Sequence, residues 1–413
     1  MQHVFIVGAK SMGAYGGYET FVDQLTRQHQ HNQKIQYHVA CKANGEGSME
    51  QAGLQGDKAL GCRESFLHRA HCFAIPVPKI GAASAIYYDV AALHWCCRYI
   101  ERNRIPNPIV YILACRIGPF IGYFQRKIHK LGGKLYLNPD GHEWMRAKWS
   151  APVRQYWKIS ERMMVRHSDR IICDSVHIEQ YIHKRYDRKG KRGADPKTEF
   201  IAYGADLAKS CLQDGDPTFC KWLADKGLAV REYYLVVGRF VPENNYETII
   251  REFMYSGTER RLAILSNAGG RLLEELERKL HFSQDERICF VGTVYDQELL
   301  KKIRENAYAY LHGHQVGGTN PSLLEAMSST GLNLLLDVCF NREVAKDGAL
   351  YWTKEPGSLQ RMLETAEQMD AKERAAYQKR ARDTIAQSYS WQKIAQQYER
   401  AFLQEAELDA DTR

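Results

Sequence analysis

Short runs of aliphatic and β-branched residues alternate along the chain with longer stretches in which apolar positions recur at helical spacing. The apolar runs predict strands at 4–7, 37–40, 109–113, 135–137, 171–173 and 200–202 in the first half, and at 234–237, 262–265, 288–291, 309–311 and 332–336 in the second. Buried strands separated by helices build a parallel sheet covered on both faces. Two series of five or six strands therefore predict an α/β protein with two doubly wound, Rossmann-like domains. Turn chemistry in LQDGDP and KG, between Asp206 and Arg231, marks the break between the series. The domains are accordingly expected at 1–208 and 209–387. From 391 to 403 the residues Trp391, Ile394, Ala395, Tyr398 and Phe402 fall on one helical face. The segment 388–413 is thus expected to pack back on the first domain. No internal repeat or low-complexity tract interrupts this pattern.

Composition narrows the class. With 413 residues, 44% hydrophobic and 26% charged, the chain is an ordinary globular protein with material for two cores. The longest near-apolar stretch, 82–97, is broken by Asp89 and His94 and is shorter than the ~20 residues of a spanning helix, so no transmembrane segment is expected. MQHVFIVGAK opens straight into a strand pattern, and the eleven cysteines include no C-x-x-C. The expectation is a cytoplasmic protein with reduced, mostly buried thiols and neither a disulfide framework nor a zinc knuckle. Lys plus Arg exceed Asp plus Glu by 57 − 49 = 8, and the stretch 143–197, with 14 basic and 7 acidic residues, carries +7 of that excess. Such a field attracts polyanions: nucleic acid, anionic lipid or a phosphorylated substrate.

Three segments can carry chemistry. The first strand runs into GAKSMGAYGGYETF, where Gly8, Gly13, Gly16 and Gly17 precede a helix start. Glycines allow close backbone approach and exposed helix N–H groups favour an anion; a plain strand-to-helix turn is the alternative. The second domain opens alike, with YYLVVGRFVPENNYETII. Arg239, just past the end of its first strand, stands where doubly wound sheets bind ligands and offers a fork for phosphate oxygens, unless it is only a solvated turn residue. In LHGHQVGGTNPSLLEAMSSTG a flexible Gly317-Gly318-Thr319-Asn320 loop leads to Pro321, Ser322 and Leu323 at a helix start. There the N–H groups can face a diphosphate, and Glu325 can accept hydrogen bonds from a ribose.

Together these segments resemble a GT-B glycosyltransferase of the retaining family 4, with its Gly-rich first loop, G-R-x-x-x-E-[KN] stretch and P-S-x-x-E-A-M helix. YGAD at 203–206 resembles the family's turn before the interdomain linker, and SYSWQKIAQQYERAF resembles its C-terminal helix. The forms GAKSMGAYGGYETF, NPDGHEWMRAKW and VGGTNPSLLEAM are most similar to a bacterial subgroup of rhamnosyltransferases that build cell-surface polysaccharides, such as O-antigen or capsule. The resemblance implies a nucleotide sugar, dTDP-L-rhamnose in this subgroup, bound chiefly by the C-terminal domain, with the acceptor on the N-terminal domain and a cleft between them.

It further implies that Arg239 stabilises the diphosphate leaving group with help from the N–H groups of Asn320 to Leu323. Glu325 holds the ribose, and Gly16 and Gly17 lie against the diphosphate or sugar. Gly238, Asn244, Gly317, Gly318 and Thr319 complete the donor set. Two positions depart from the family pattern: Asn244 stands where a Lys is usual, and Gly317 where the first of two glutamates is usual. Asp140 stands where many members carry His, and is expected to take or relay the acceptor proton or to orient the donor. A turn or cap role is its alternative. Tyr18, His142, Glu143, Trp144, Arg146 and Lys148 are expected on the acceptor side. The basic and aromatic stretch Arg146, Lys148, Trp149, Arg154, Trp157, Lys158 and Arg162 suits a lipid-linked saccharide at the inner face of an anionic membrane.

No cofactor and no metal is expected beyond the donor. A UDP- or GDP-sugar transferase and a nucleotide-sugar epimerase of the same architecture are the competing enzyme readings. The run KRYDRKGKRGADPK raises a nucleic-acid-binding protein, but no such motif accompanies it, and no nucleic-acid partner is expected.

Overall fold

The computed structural model describes residues 1–13, 16–49, 64–146, 149–187 and 195–410, with side chains to 403. Lys148 and positions 188–194 of the basic run lie outside the described residues. The chain divides into two compact units: Met1–Gly204 with the segment from Trp391 onward, and Ala205–Ser390.

The first unit holds β1 (Gln2–Val7), α1 (Gly17–Gln28), β2 (Ile35–Lys42), β3 (Glu64–Leu67), β4 (Ala70–Ile75), α2 (Ala83–Asn103), β5 (Ile109–Leu113), α3 (Gly118–Lys130), β6 (Lys134–Asn138), α4 (Ala151–His167), β7 (Arg170–Cys173), α5 (Val176–Tyr186) and β8 (Thr198–Phe200). Its sheet runs β3-β4-β2-β1-β5-β6-β7-β8 and is parallel except for the β3–β4 hairpin. The order reverses at β1, between β2 and β5, so ligand-binding loops are expected beyond the carboxyl ends of β1 and β5. The sequence pattern missed the hairpin, because β3 is a short amphipathic edge and β4 interleaves His71 and Cys72 with its apolar residues. It also placed β8 too late: residues 201–203 stay buried and extended, Ile201 N–H donating to Cys173 O, but lie past the ladder.

The second unit holds α6 (Pro217–Lys226), β9 (Tyr233–Val237), α7 (Tyr246–Tyr255), β10 (Arg261–Leu265), α8 (Gly270–Leu280), β11 (Ile288–Gly292), α9 (Gln297–Glu305), β12 (Ala309–His312), α10 (Pro321–Ser329), β13 (Asn333–Leu336), α11 (Cys339–Ala345), β14 (Leu350–Trp352), α12 (Ser358–Gln368) and α13 (Ala371–Thr384). Its six strands run β11-β10-β9-β12-β13-β14, all parallel, with the switch between β9 and β12. The three-residue β14 is too short to register as a strand in the sequence, yet Trp352 is fully buried against β13 and α12.

The last helix, α14 (Trp391–Ala410), returns to the first unit. Ile394, Ala395, Tyr398 and Phe402 are buried, and Tyr398 lies against Phe21 and Tyr111. Polar contacts fix its register: His29 Nε2 meets Ala395 O at 3.1 Å, and the Tyr111 and Tyr398 hydroxyls are 3.1 Å apart. Gly204 is required at the crossing, since a Cβ there would overlap the Trp391 indole. All ten described cysteines are free thiols, six of them buried. Among the described residues, no helix is long and apolar enough to cross a membrane, and no His, Cys, Asp and Glu cluster could hold a metal.

Candidate functional site

In the second unit the loops after β9 and β12 meet at the switch point. Asn245, in the left-handed region at φ 55°, caps α7 and donates through Nδ2 to Gly313 O at 2.7 Å. The two backbones approach so closely that a Cβ on Gly313 would overlap Asn244 O. Arg239 follows β9 directly. Its side chain is exposed and forms no hydrogen bond or ion pair among the described residues, so its donor fork is available to a ligand. Its carbonyl is held by Asn244 Nδ2 at 2.8 Å, and Asn244 Oδ1 lies 2.8 Å from His314 Nδ1. The Nε2 of the same His314 ring would sit 3.1 Å from a Cβ on Gly317. The two positions that depart from the family pattern, Asn244 and Gly317, thus face each other across one imidazole.

At the start of α10, Asn320 Oδ1 accepts from Ser322 N–H at 2.9 Å and more weakly from Leu323 N–H at 3.4 Å, so the N-cap side chain shares the donors expected to face a diphosphate. Glu325, one turn on, pairs with Arg304 Nη2 at 2.6 Å. Arg304 is almost wholly buried and the Glu325 side chain is 29% exposed, so part of the carboxylate stays open to solvent. Tyr310 OH and Ser322 Oγ lie 3.0 Å apart beneath this pair. Glu243, the glutamate of the G-R-x-x-x-E stretch, is buried with Oε2 unbonded among the described residues. Gly318, Thr319 and Pro321 lie in the loop and first turn that lead to Glu325.

In the first unit the Gly-rich loop is braced from two helices. Gly8, at φ +120°, packs where a Cβ would collide with Leu113 O. Arg116 Nη1 donates to Gly8 O at 3.1 Å and to Asp89 Oδ2 at 3.2 Å, and Tyr88 OH donates to Ala9 O at 2.6 Å. Burial raises the Asp89 carboxyl to about 6, with the Arg116 guanidinium opposing the rise. Burial opposes the Arg116 charge too, but Asp89, Tyr18 and Asp140 together more than offset it and raise its pKa. Glu19 folds back over the start of α1, accepting Lys10 N–H at 2.7 Å, and a Cβ on Gly16 would overlap its carboxylate. The chain's own anion therefore occupies the space at Gly16, while Gly17 faces open space.

Tyr18 brings its hydroxyl into the carboxyl end of the sheet, where that oxygen is buried and has no hydrogen bond among the described residues. Burial, the nearby Asp140 and further groups including Asp174 raise its pKa well above the ordinary tyrosine value, against Arg116. Asp140 occupies a left-handed turn at φ 58°; its N–H donates to Asn138 Oδ1 at 2.8 Å, and its Oδ1 accepts from Gly141 N–H at 2.9 Å. Its other oxygen lies 3.8 Å from Arg146, whose stronger partner is Glu143 at 2.5 Å. Tyr18, Asp140 and Arg116 thus come together beyond β1, β5 and β6. His142 turns to Tyr181 instead, with ring centroids 4.2 Å apart, and burial and Arg185 lower its pKa. Trp144 takes Lys158 and Arg185 against its ring at 4.6 and 5.5 Å. Arg116 was missed by the sequence reading, although it follows β5 much as Arg239 follows β9.

Residues 1–206 match the family model described as a domain of unknown function, DUF1972. No curated protein matches the chain. Among solved structures, sucrose-phosphate synthase from Thermosynechococcus elongatus aligns at TM-score 0.75 and 16% identity, covering 99% of this chain and 100% of that one. HepE from Anabaena in complex with UDP-glucose aligns at TM-score 0.67 and 13% identity, covering 97% and 99%. An E. coli structure described as trehalose-6-phosphate bound with UDP-2-fluoro glucose aligns at TM-score 0.70 and 11% identity, again covering 97% and 99%. The chain has the GT-B glycosyltransferase fold.

Proposed function

We propose that the protein is a glycosyltransferase that moves a sugar from a nucleotide-sugar donor to a hydroxyl of a lipid-linked saccharide, with retention of configuration. The observation that carries this reading is the second unit's switch point: Arg239 beyond β9, exposed and without an ion pair among the described residues, and the Glu325 carboxylate at the start of α10, on a GT-B fold. Two neighbours of this fold are complexes with a UDP-sugar or its fluoro analogue. Arg239 neutralises the charge that develops on the departing diphosphate, where a donor fixed before reaction stabilises the transition state most. Glu325, held by Arg304, accepts from the ribose hydroxyls. Neither step needs a metal.

In the first unit Asp140 receives or relays the acceptor proton, and Tyr18 and Arg116 orient the groups around it. No side chain is assigned as a nucleophile, so a front-face displacement is the proposed route. The donor proposed from the sequence resemblance is dTDP-L-rhamnose, with contact at the inner face of an anionic cytoplasmic membrane. The UDP complexes among the neighbours favour a second reading in which the donor is a UDP-sugar.

A thermal-shift series with dTDP, UDP, GDP and ADP and their sugars tests the proposal, because ligand at ~100 times its dissociation constant adds ~2.7 kcal/mol of stability. Preference for dTDP-L-rhamnose supports the first donor, and preference for a UDP-sugar selects the second. A melt that no nucleotide moves removes the transferase reading. Turnover of a nucleotide sugar without any acceptor would instead identify an epimerase.

A further inference from the structure

Helices α3 and α4 pack side by side on the first unit, with Ser160 Oγ accepting Gly118 N–H at 2.8 Å at their closest approach. Their outer surface combines two features that seldom meet on a plain solvated face. Phe120 and Tyr123 on α3 and Ile159 on α4 are 44, 50 and 48% exposed. Around them, Arg126 and Lys130 on α3 and Arg162 and Arg166 on α4 point outward and form no ion pair among the described residues.

Among the described residues neither α3 nor α4 offers an exposed carboxylate to balance these cations; the nearest, Asp169 after α4, pairs with His129 at 2.9 Å at the rim of the face. Helix α3 contains no Asp or Glu. The single carboxylate of α4, Glu161, is buried and accepts from the Tyr181 and Tyr186 hydroxyls at 2.6 and 2.5 Å. On the adjoining α2, Asp89 is fully buried against Arg116. The Tyr123 ring lies 5.9 Å from His94 on α2, beside which stand the further cations Arg98 and Lys127.

We propose that this face docks on an anionic phospholipid bilayer, with Phe120, Tyr123 and Ile159 at headgroup level and the four cations among the phosphates. Exposed aromatic and aliphatic groups ringed by Lys and Arg gain both from apolar burial and from the negative surface potential. A symmetric pairing of two copies through the same face would set cation against cation. The assignment also moves the contact away from the tryptophans of the 144–157 stretch: Trp144 is covered by Lys158 and Arg185, and Trp149 lies against Trp157. Because α3 begins two residues after Arg116, the docked face adjoins the carboxyl end of the sheet. The proposal names the surface for the membrane contact of the transferase reading and rests on that reading only for the identity of the acceptor.

The test is co-sedimentation of the full-length protein with vesicles of equal parts phosphatidylcholine and phosphatidylglycerol, against pure phosphatidylcholine. The wild type should partition at least tenfold more strongly onto the anionic vesicles. Combined Arg126→Glu, Arg162→Glu and Arg166→Glu should weaken that partition by about 100-fold, at roughly fivefold per cation lost. Phe120→Ser with Ile159→Ser should weaken it by about tenfold. Melting temperature and nucleotide response report that the variants fold and that the donor site is intact; a lost nucleotide response in the wild type would count against the transferase reading, not the docking face. Equal binding to both vesicle types, or anionic binding that neither variant changes, overturns the proposal. So does charge reversal that abolishes oligonucleotide binding and spares the vesicles.

Discussion

Arg239 and Glu325 are both assigned to the donor, yet their surroundings give them opposite signatures under mutation. Arg239 is exposed and has no side-chain partner among the described residues, so Arg239→Ala should lower turnover by on the order of 100-fold while leaving the thermal melt unchanged. Glu325 balances Arg304, which is only 4% exposed. Removing one partner of a largely buried pair strands the other charge, so Glu325→Ala should cost about 2–3 kcal/mol of stability by chemical denaturation, in addition to weakening nucleotide binding. A stability loss at Arg239, or none at Glu325, would contradict these environments. Arg239 was legible in the sequence because its position beyond a buried strand is a local property. Arg304 was not, because its meeting with Glu325 joins two helices, α9 and α10, that only the fold brings together. The same holds for His314, which links Asn244 to Gly317 through contacts invisible to spacing alone.

At the scale of elements, the long apolar strands of both sheets were legible, since five buried residues in a row at 109–113 and 233–237 leave few alternatives. The hairpin β3–β4 and the short β14 were not, because their stability comes from neighbours rather than from their own pattern. The α3–α4 contact shows the same dependence. A Cβ at Gly118 would collide with the Ser160 backbone, whose hydroxyl accepts from Gly118 N–H and donates to Cys115 O at 2.6 Å. Gly118→Ala should therefore destabilise the protein by about 2–3 kcal/mol, read as a shifted denaturant midpoint. An unshifted midpoint would show that the helices can part without cost.

Across the whole molecule, buried titratable groups set the response to acid. His38 bridges His3 and His71 at 2.9 and 3.1 Å, and His71 in turn meets Glu64 at 3.0 Å. Burial, with His71 and His3, lowers the His38 pKa to about 3. The unfolded chain protonates this ring near 6.5, so its contribution to stability is complete above pH 6.5 and is lost as pH falls towards 3. Asp89, raised to about 6, acts with the opposite sign, favouring the folded state below 4 and losing that contribution as pH rises through 6. Between pH 4 and 6 the two slopes oppose and nearly cancel, so the loss from His38 should emerge below pH 4, and His38→Gln should leave the Asp89 slope alone, with stability rising by about 1.4 kcal/mol per unit as pH falls from 6 to 4, measured by denaturation at several pH values. A slope that the variant leaves unchanged would assign the acid response elsewhere.

The return of α14 to the first unit makes the second unit an insertion: it leaves the first at Gly204 and re-enters at Trp391, with Ala205 and Ser390 bridged at its own two ends. During synthesis the first sheet is complete long before the helix that covers Phe21 and Tyr111 has been made. The second unit, by contrast, has all of its strands and helices by Ser390. The ribosome therefore delivers the later unit in finished form while the earlier one still waits, its aromatic flank open to chaperones, for the last helix to emerge.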